Sequence, residues 1–196
     1  MSLHLNTVES TRAPENEQAV CVTCGLCCDG TLFGHAELNP GEKGQLPDLI
    51  EQNVFMIGEK DYFRLPCLYF SGRCTIYESN RAFVCGSFRC RLLSDMADGK
   101  VSPEDALETV REARLMRTGI QEAYKSFSGD EGVLPFMKIM NGLGKYLKRN
   151  SGAGFPDPAY EVIQARCNIF QALLIKHFRP TGHFEDLVMK KTETGI

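Results

Sequence analysis

The chain has no apolar run approaching the roughly 20 residues that a helix needs to cross a bilayer. Residues 1–20 are polar and have neither the apolar segment nor the cleavage site of a secretory signal peptide. The formal net charge of −3 argues against a protein whose main task is to bind nucleic acid. We therefore expect a cytoplasmic protein that binds neither membranes nor nucleic acid.

Nucleotide-binding motifs are also lacking. No G-x-G-x-x-G sequence follows a predicted strand, so a dinucleotide-binding fold is not supported. The sequence around Gly142 and Lys145 resembles a phosphate-binding loop but has Tyr146 where Ser or Thr is required. The four histidines are scattered and indicate no catalytic triad. Catalytic residues are therefore not assigned, and the sequence leaves open whether the protein is an enzyme.

What the chain has is cysteine, nine in 196 residues, four of them between positions 21 and 28. Clustered thiols in a reducing cytosol are more often metal ligands than disulfides. Soft metals bind several thiolates from one segment. The eight candidate metal ligands are Cys21, Cys24, Cys27, Cys28, Cys67, Cys74, Cys85 and Cys90.

The spacing of these thiols does not select the metal. Cys21, Cys24 and Cys27 recur at intervals of three, an arrangement that in a tight loop can hold three irons of a cubane cluster with a remote fourth ligand. The same C-x2-C pairs also form zinc sites. Cys28 should point away from Cys27 towards a second metal or the lining of a cluster. Zinc and iron thus both remain open as the metal. Three arrangements also remain open: two four-sulfur sites, a cubane cluster plus zinc, or one shared polynuclear site.

Positive charge accompanies the second cysteine block. Residues 64–91 contain five arginines, no lysine and a single acid, Glu78. Guanidinium groups can neutralise metal-bound thiolates and donate hydrogen bonds to sulfur. Ordinary solvated arginines and an anion-binding pocket are the alternatives. The arginines are Arg64, Arg73, Arg81, Arg89 and Arg91.

We predict a flexible tail over 1–20 and a single domain over 21–196, with an eight-cysteine region at 21–93 and a helical region at 94–196. Asn39 resembles a helix cap, which predicts a short helical stretch to about Ile57. Residues 62–78 read as a β-hairpin with Ser71-Gly72 at its turn. That register would pair Tyr69 with Cys74 and place Cys67 and Cys74 on one face.

The remainder is predicted to be helical. Ser102-Pro103 is a typical helix start, and Gly129–Gly132 ends the helix. Apolar residues at three- and four-residue spacing predict three long helices. The stripes are Ala106, Val110, Ala113, Ile120, Tyr124 and Phe127; Phe136, Ile139, Met140, Leu143 and Leu147; and Ile163, Cys167, Phe170, Leu174 and Phe178. The predicted fold is mainly α with a minor β part. A metal-stabilised, loop-rich half with a short hairpin is expected to pack on about three C-terminal helices. Pro180 should end the last of these helices.

Several other residues are assigned structural roles. Cys167 lies on a helix stripe and is predicted to be a buried core thiol. Arg117 is predicted to pack its stem and extend its charged head into solvent. His35 is expected to be an ordinary loop histidine, and a metal role for His177 and His183 is not favoured.

The eight-cysteine pattern, together with Ile76-Tyr77-Glu78 and Arg81, resembles the zinc- or iron-chelating cysteine-cluster family, whose domain is also found in flagellin lysine methylases. The resemblance covers roughly residues 21–93 and implies metal chelation by the eight cysteines. Ala82 stands where the family typically has proline, and Gly86 where arginine is common.

Two functional hypotheses follow. The first is a metal-binding protein whose zinc or iron holds a surface for a protein partner or acts as a sensor. The second is an iron–sulfur-dependent enzyme that modifies a protein or small molecule, with lysine methylation as the example suggested by the resemblance.

Overall fold

The computed structural model describes residues 15–132, 134–150 and 157–179, which form seven helices and a three-stranded sheet. The fold is mainly helical, as predicted. The helices are α1 (Glu15–Cys24), α2 (Asp48–Glu51), α3 (Phe83–Ser87), α4 (Arg91–Ala97), α5 (Pro103–Ser128), α6 (Phe136–Asn150) and α7 (Pro158–His177). The strands are β1 (His35–Glu37), β2 (Val54–Ile57) and β3 (Lys60–Arg64).

The three long helices confirm the prediction from caps and apolar spacing. The Ser102 side chain accepts a hydrogen bond from the backbone N–H of Asp105 at the start of α5. Gly129 ends this helix in the left-handed conformation, at φ 71°. Asp157 caps α7 through the N–H of Ala159, whereas Pro180 lies outside the described residues.

These helices enclose the larger of two cores, the helical core. The predicted stripes supply its centre, and the rings of Phe136 and Phe170 meet edge to face at 4.9 Å. Cys167 is fully buried in this core, which confirms its predicted place. The stripe of α6 is buried over fewer residues than predicted, because Leu147 is about half exposed.

The predicted hairpin over 62–78 is wrong. The sheet is antiparallel in the order β1-β3-β2, and β3 ends at Arg64. Beyond it only an isolated bridge joins Phe70 to Cys74, one residue away from the predicted pairing of Tyr69 with Cys74. The register slips because the turn spans three residues, with the N–H of Ser71 bonded to the carbonyl of Arg73.

Two further boundaries also differ from the prediction. The helix expected up to Ile57 is limited to α2, because the N–H of Asn39 is bonded to the Glu42 carboxylate within a local turn and the chain then extends into β2. The tail predicted over 1–20 is replaced from Glu15 by α1, where Val20 is buried in the helical core. Residues 1–14 lie outside the described part of the chain.

The smaller core, the sheet core, lies between the sheet and the second cysteine block. Its buried members are Leu38, Ile50, Phe63 and Ala82. The cysteines therefore occupy the region between the helical core and the sheet core. Every helix in the described ranges is too short or too polar to traverse a lipid bilayer.

Candidate metal centre

The first cysteine block begins on a helix rather than in the expected loop. Cys21 and Cys24 occupy the last turn of α1, where residues three apart lie on the same face. The N–H of Gly25 bonds to the carbonyl of Cys21, and a tight turn then carries Cys27 and Cys28. The C-x2-C spacing thus places two thiols on one helix face and two more in the turn that follows.

Gly25 is required where the helix gives way to this turn. Its φ of +65° is a left-handed conformation that side chains other than glycine rarely adopt. A Cβ at this position would lie 2.3 Å from the ring of Phe70, far inside van der Waals contact. Gly25 therefore lets the second cysteine block approach the first.

We expect Gly25→Ala to destabilise the protein through both effects. The left-handed backbone costs about 1–2 kcal/mol with a Cβ, and displacing the Phe70 ring adds about 1–3 kcal/mol. The measurement is urea unfolding followed by circular dichroism.

Two glycines provide matched controls for this variant. Gly41→Ala should show the backbone cost alone, because φ is +86° and no heavy atom lies within 4 Å of its Cβ position. Gly34→Ala should be nearly neutral, because its Cβ position is equally open and its φ is ordinary. A Gly25→Ala variant as stable as Gly41→Ala would contradict the assigned contact with Phe70.

The second cysteine block folds back onto the first. The N–H of Cys67 donates to the carbonyl of Cys28 at 2.7 Å, which joins the two blocks through the backbone. Together they line a cavity of about 260 Å³ between the two cores. Six of the eight candidate cysteines line it, namely Cys21, Cys27, Cys28, Cys67, Cys74 and Cys85.

Aromatic and aliphatic side chains form most of the remaining cavity wall. Phe33 and Phe88 meet edge to face at 5.2 Å on one side. Cys24 and Cys90 are not part of the lining, although Cys90 is buried and Cys24 packs against the helical core. Sequence spacing alone did not reveal this division.

Burial opposes the ionisation of seven of the eight candidate thiols. It raises the pKa of Cys24 and of Cys85 from 9.0 to about 12, and it is the largest cause in every case. Neighbouring cysteines raise these values further, because thiolates close together repel each other. Burial raises the pKa in the same direction for Cys21, Cys27, Cys28, Cys67 and Cys90.

Of the predicted arginines, Arg81 is the one that lines the cavity. Its guanidinium lies 4.0 Å from the centre of the Tyr77 ring and donates to the carbonyl of Cys85 at 3.4 Å. Arg81 also lowers the pKa of Cys21 and Cys85, against the larger effect of burial. The guanidinium of Arg89 instead pairs with the buried carboxylate of Glu17.

Two arginines of α5 that sequence reasoning did not assign to the site support the first cysteine block. Arg114 donates to the carbonyl of Thr23 at 2.6 Å. Arg117 forms an ion pair with Asp29, and the two side chains are only 16% and 13% exposed. The prediction that Arg117 extends into solvent is therefore wrong, because a carboxylate next to Cys28 provides a buried partner.

The histidines contribute little that indicates metal binding. His35 lies on β1, where its ring meets that of Tyr62 at 5.0 Å, and it borders the cavity. His177 ends α7, where burial lowers its pKa. His183 lies outside the described residues.

The thiols are gathered but not arranged around a single point. Within the described part of the chain, no three His, Cys, Asp or Glu side chains are grouped so that they could hold one metal ion. A bound metal would therefore have to draw the thiols together by rotation of their side chains. The donor set itself is suited to zinc or iron, which bind cysteine thiolates in sets of four.

Comparison with known proteins adds no assignment: no family model, curated protein or solved structure matches this chain.

Proposed function

We propose that this protein binds zinc or iron through the eight cysteines of its N-terminal half. The observation that carries the proposal is the cavity between the two cores, where six thiols from two distant stretches of sequence come together. A single buried cysteine packs like a small hydrophobic residue, as Cys167 does, but six thiols that line one cavity form a donor set that soft metals bind. Bound metal supplies a reason for the thiols to gather.

The raised pKa values of Cys24 and Cys85 mean that a cation must displace a proton from each of these thiols in order to bind it. Metal affinity is then expected to fall as the pH falls. Arg81 and Arg114 lie where they would offset part of the negative charge of the resulting thiolates.

The test is metal analysis of protein purified without oxygen, with a visible spectrum recorded alongside. We expect zinc or iron in stoichiometric amounts, and brown protein with acid-labile sulfide if the metal is an iron–sulfur cluster. Reduced, folded protein that contains neither metal would overturn the proposal.

A matched pair of cysteine variants checks the ligands. Cys27→Ser should release metal and destabilise the protein, because this thiol lines the cavity. Cys167→Ser should retain the metal, because Cys167 is buried in the helical core away from the cavity. Equal metal loss in the two variants would contradict the ligand assignment.

The second candidate is an iron–sulfur-dependent enzyme that modifies a protein or small molecule. What favours it is the apolar part of the cavity, where Phe63, Ile76 and Val84 provide space beside the thiols for part of a substrate. Zinc in colourless, fully loaded protein would exclude this candidate.

A further inference from the structure

We infer that the eight cysteines divide into two neighbouring metal centres of four thiolates each. The inference rests on the metal-binding function proposed above and assigns its ligands. The first set is Cys21, Cys24, Cys27 and Cys90. The second set is Cys28, Cys67, Cys74 and Cys85.

The first set belongs to the helical core. Cys90 is one of its buried members, and Cys21, Cys24 and Cys27 pack against it. Cys90 immediately precedes α4, which contacts α1, so it reaches the end of the helix that carries Cys21 and Cys24. Cys90 is thus the remote fourth ligand that the C-x2-C-x2-C triplet requires.

The second set lies against the sheet core. Cys85 packs directly on it, and so do Tyr69 and Ile76, which lie close to Cys67 and Cys74 in sequence. Phe70 ties Cys67 and Cys74 to each other, because its N–H bonds to the carbonyl of Cys67 and it forms the bridge to Cys74.

Cys28 joins the second set through its backbone. Its carbonyl accepts the N–H of Cys67, while its neighbour Cys27 packs on the helical core. All four members of the second set line the cavity, whereas two members of the first set do not.

Cys24 and Cys85 are the best probes of the two sets, because Cys24 packs against the helical core and Cys85 against the sheet core.

The variants Cys24→Ser and Cys85→Ser test the division, with metal counted per chain in protein purified without oxygen. Each is expected to lose one centre and keep the other, about half of the sites. Cys24→Ser/Cys90→Ser, within one set, should lose no more than Cys24→Ser alone, whereas Cys24→Ser/Cys85→Ser should lose both centres. Complete loss in either single variant would overturn the division in favour of one shared site.

A second measurement does not depend on the variants folding. Wild-type protein is stripped stepwise with a chelator and pulsed with an alkylating reagent, and labelled cysteines are located by fragmentation mass spectrometry. We expect labelling in two blocks of four that match the sets. Blocks of other composition would overturn the inference while leaving metal binding intact. Wild-type protein without metal would instead refute the proposed function, and the inference with it.

Discussion

Removal of the proposed metal with a strong chelator is expected to unfold residues 21–90. A structural zinc contributes about 10–16 kcal/mol of binding free energy, while an entire domain is stable by only about 5–15 kcal/mol. The sheet and the second cysteine block have little else to hold them, since the sheet core has four buried members and the strands have three to five residues. The unfolding of residues 21–90 should be cooperative, and the region should refold when the metal is returned.

The helical region provides an internal control in the same molecule. Helices α5, α6 and α7 pack on one another around Phe136 and Phe170, and none of the three carries a candidate ligand. Amide hydrogen exchange, measured under reducing conditions before and after chelation, should show loss of protection over 21–90 and persistence in these helices. Unchanged protection over 21–90 after verified metal removal would refute a structural role for the metal.

The helices could be predicted from sequence because their determinants are local. The Ser102 cap and Gly129 lie within a few residues of the ends of α5, and the burial of Val110 and Ile120 follows from their spacing. The same reasoning placed Cys167 correctly. Such features depend on neighbours along the chain, which the sequence displays directly.

The small sheet could not be predicted in the same way. The apolar residues around Tyr62 do form a strand, but its partners are β1 and β2, and β2 lies where a helix was expected. Strand pairing depends on which segments meet in space, and an error of one residue in a turn reverses the faces. The predicted pairing of Tyr69 with Cys74 is an error of this kind, because Cys74 pairs with Phe70 instead.

The gathering of the cysteines could be predicted in outline, but the supporting residues could not. Close spacing indicated that Cys21 and Cys24 act together. No local pattern connects Asp29 to Arg117, which lie far apart in sequence and meet because α1 packs on α5. An arginine interrupting an apolar helix stripe was the available signal, and its partner could be identified only from the fold.

This ion pair is held in place by further contacts. Asp29 Oδ1 accepts the N–H of Thr31 at 2.8 Å, so its other oxygen is directed at the Arg117 guanidinium. Thr31 is itself buried. The pair thereby fixes the turn after Cys28 to the middle of α5, and both charges depend on each other because little water reaches them.

We expect Asp29→Asn and Arg117→Met each to destabilise the protein by about 3–5 kcal/mol, because each leaves the opposite charge buried without its partner. The double variant should lose much less stability than the sum of the two single losses, because neither buried charge remains in it. Urea unfolding of all four proteins, with metal content measured in each, gives the coupling energy. The exposed pair Glu108–Arg111 is the matched control, and Arg111→Met should change stability by no more than about 0.5 kcal/mol. Additive losses at Asp29 and Arg117 would show that the two charges do not stabilise each other.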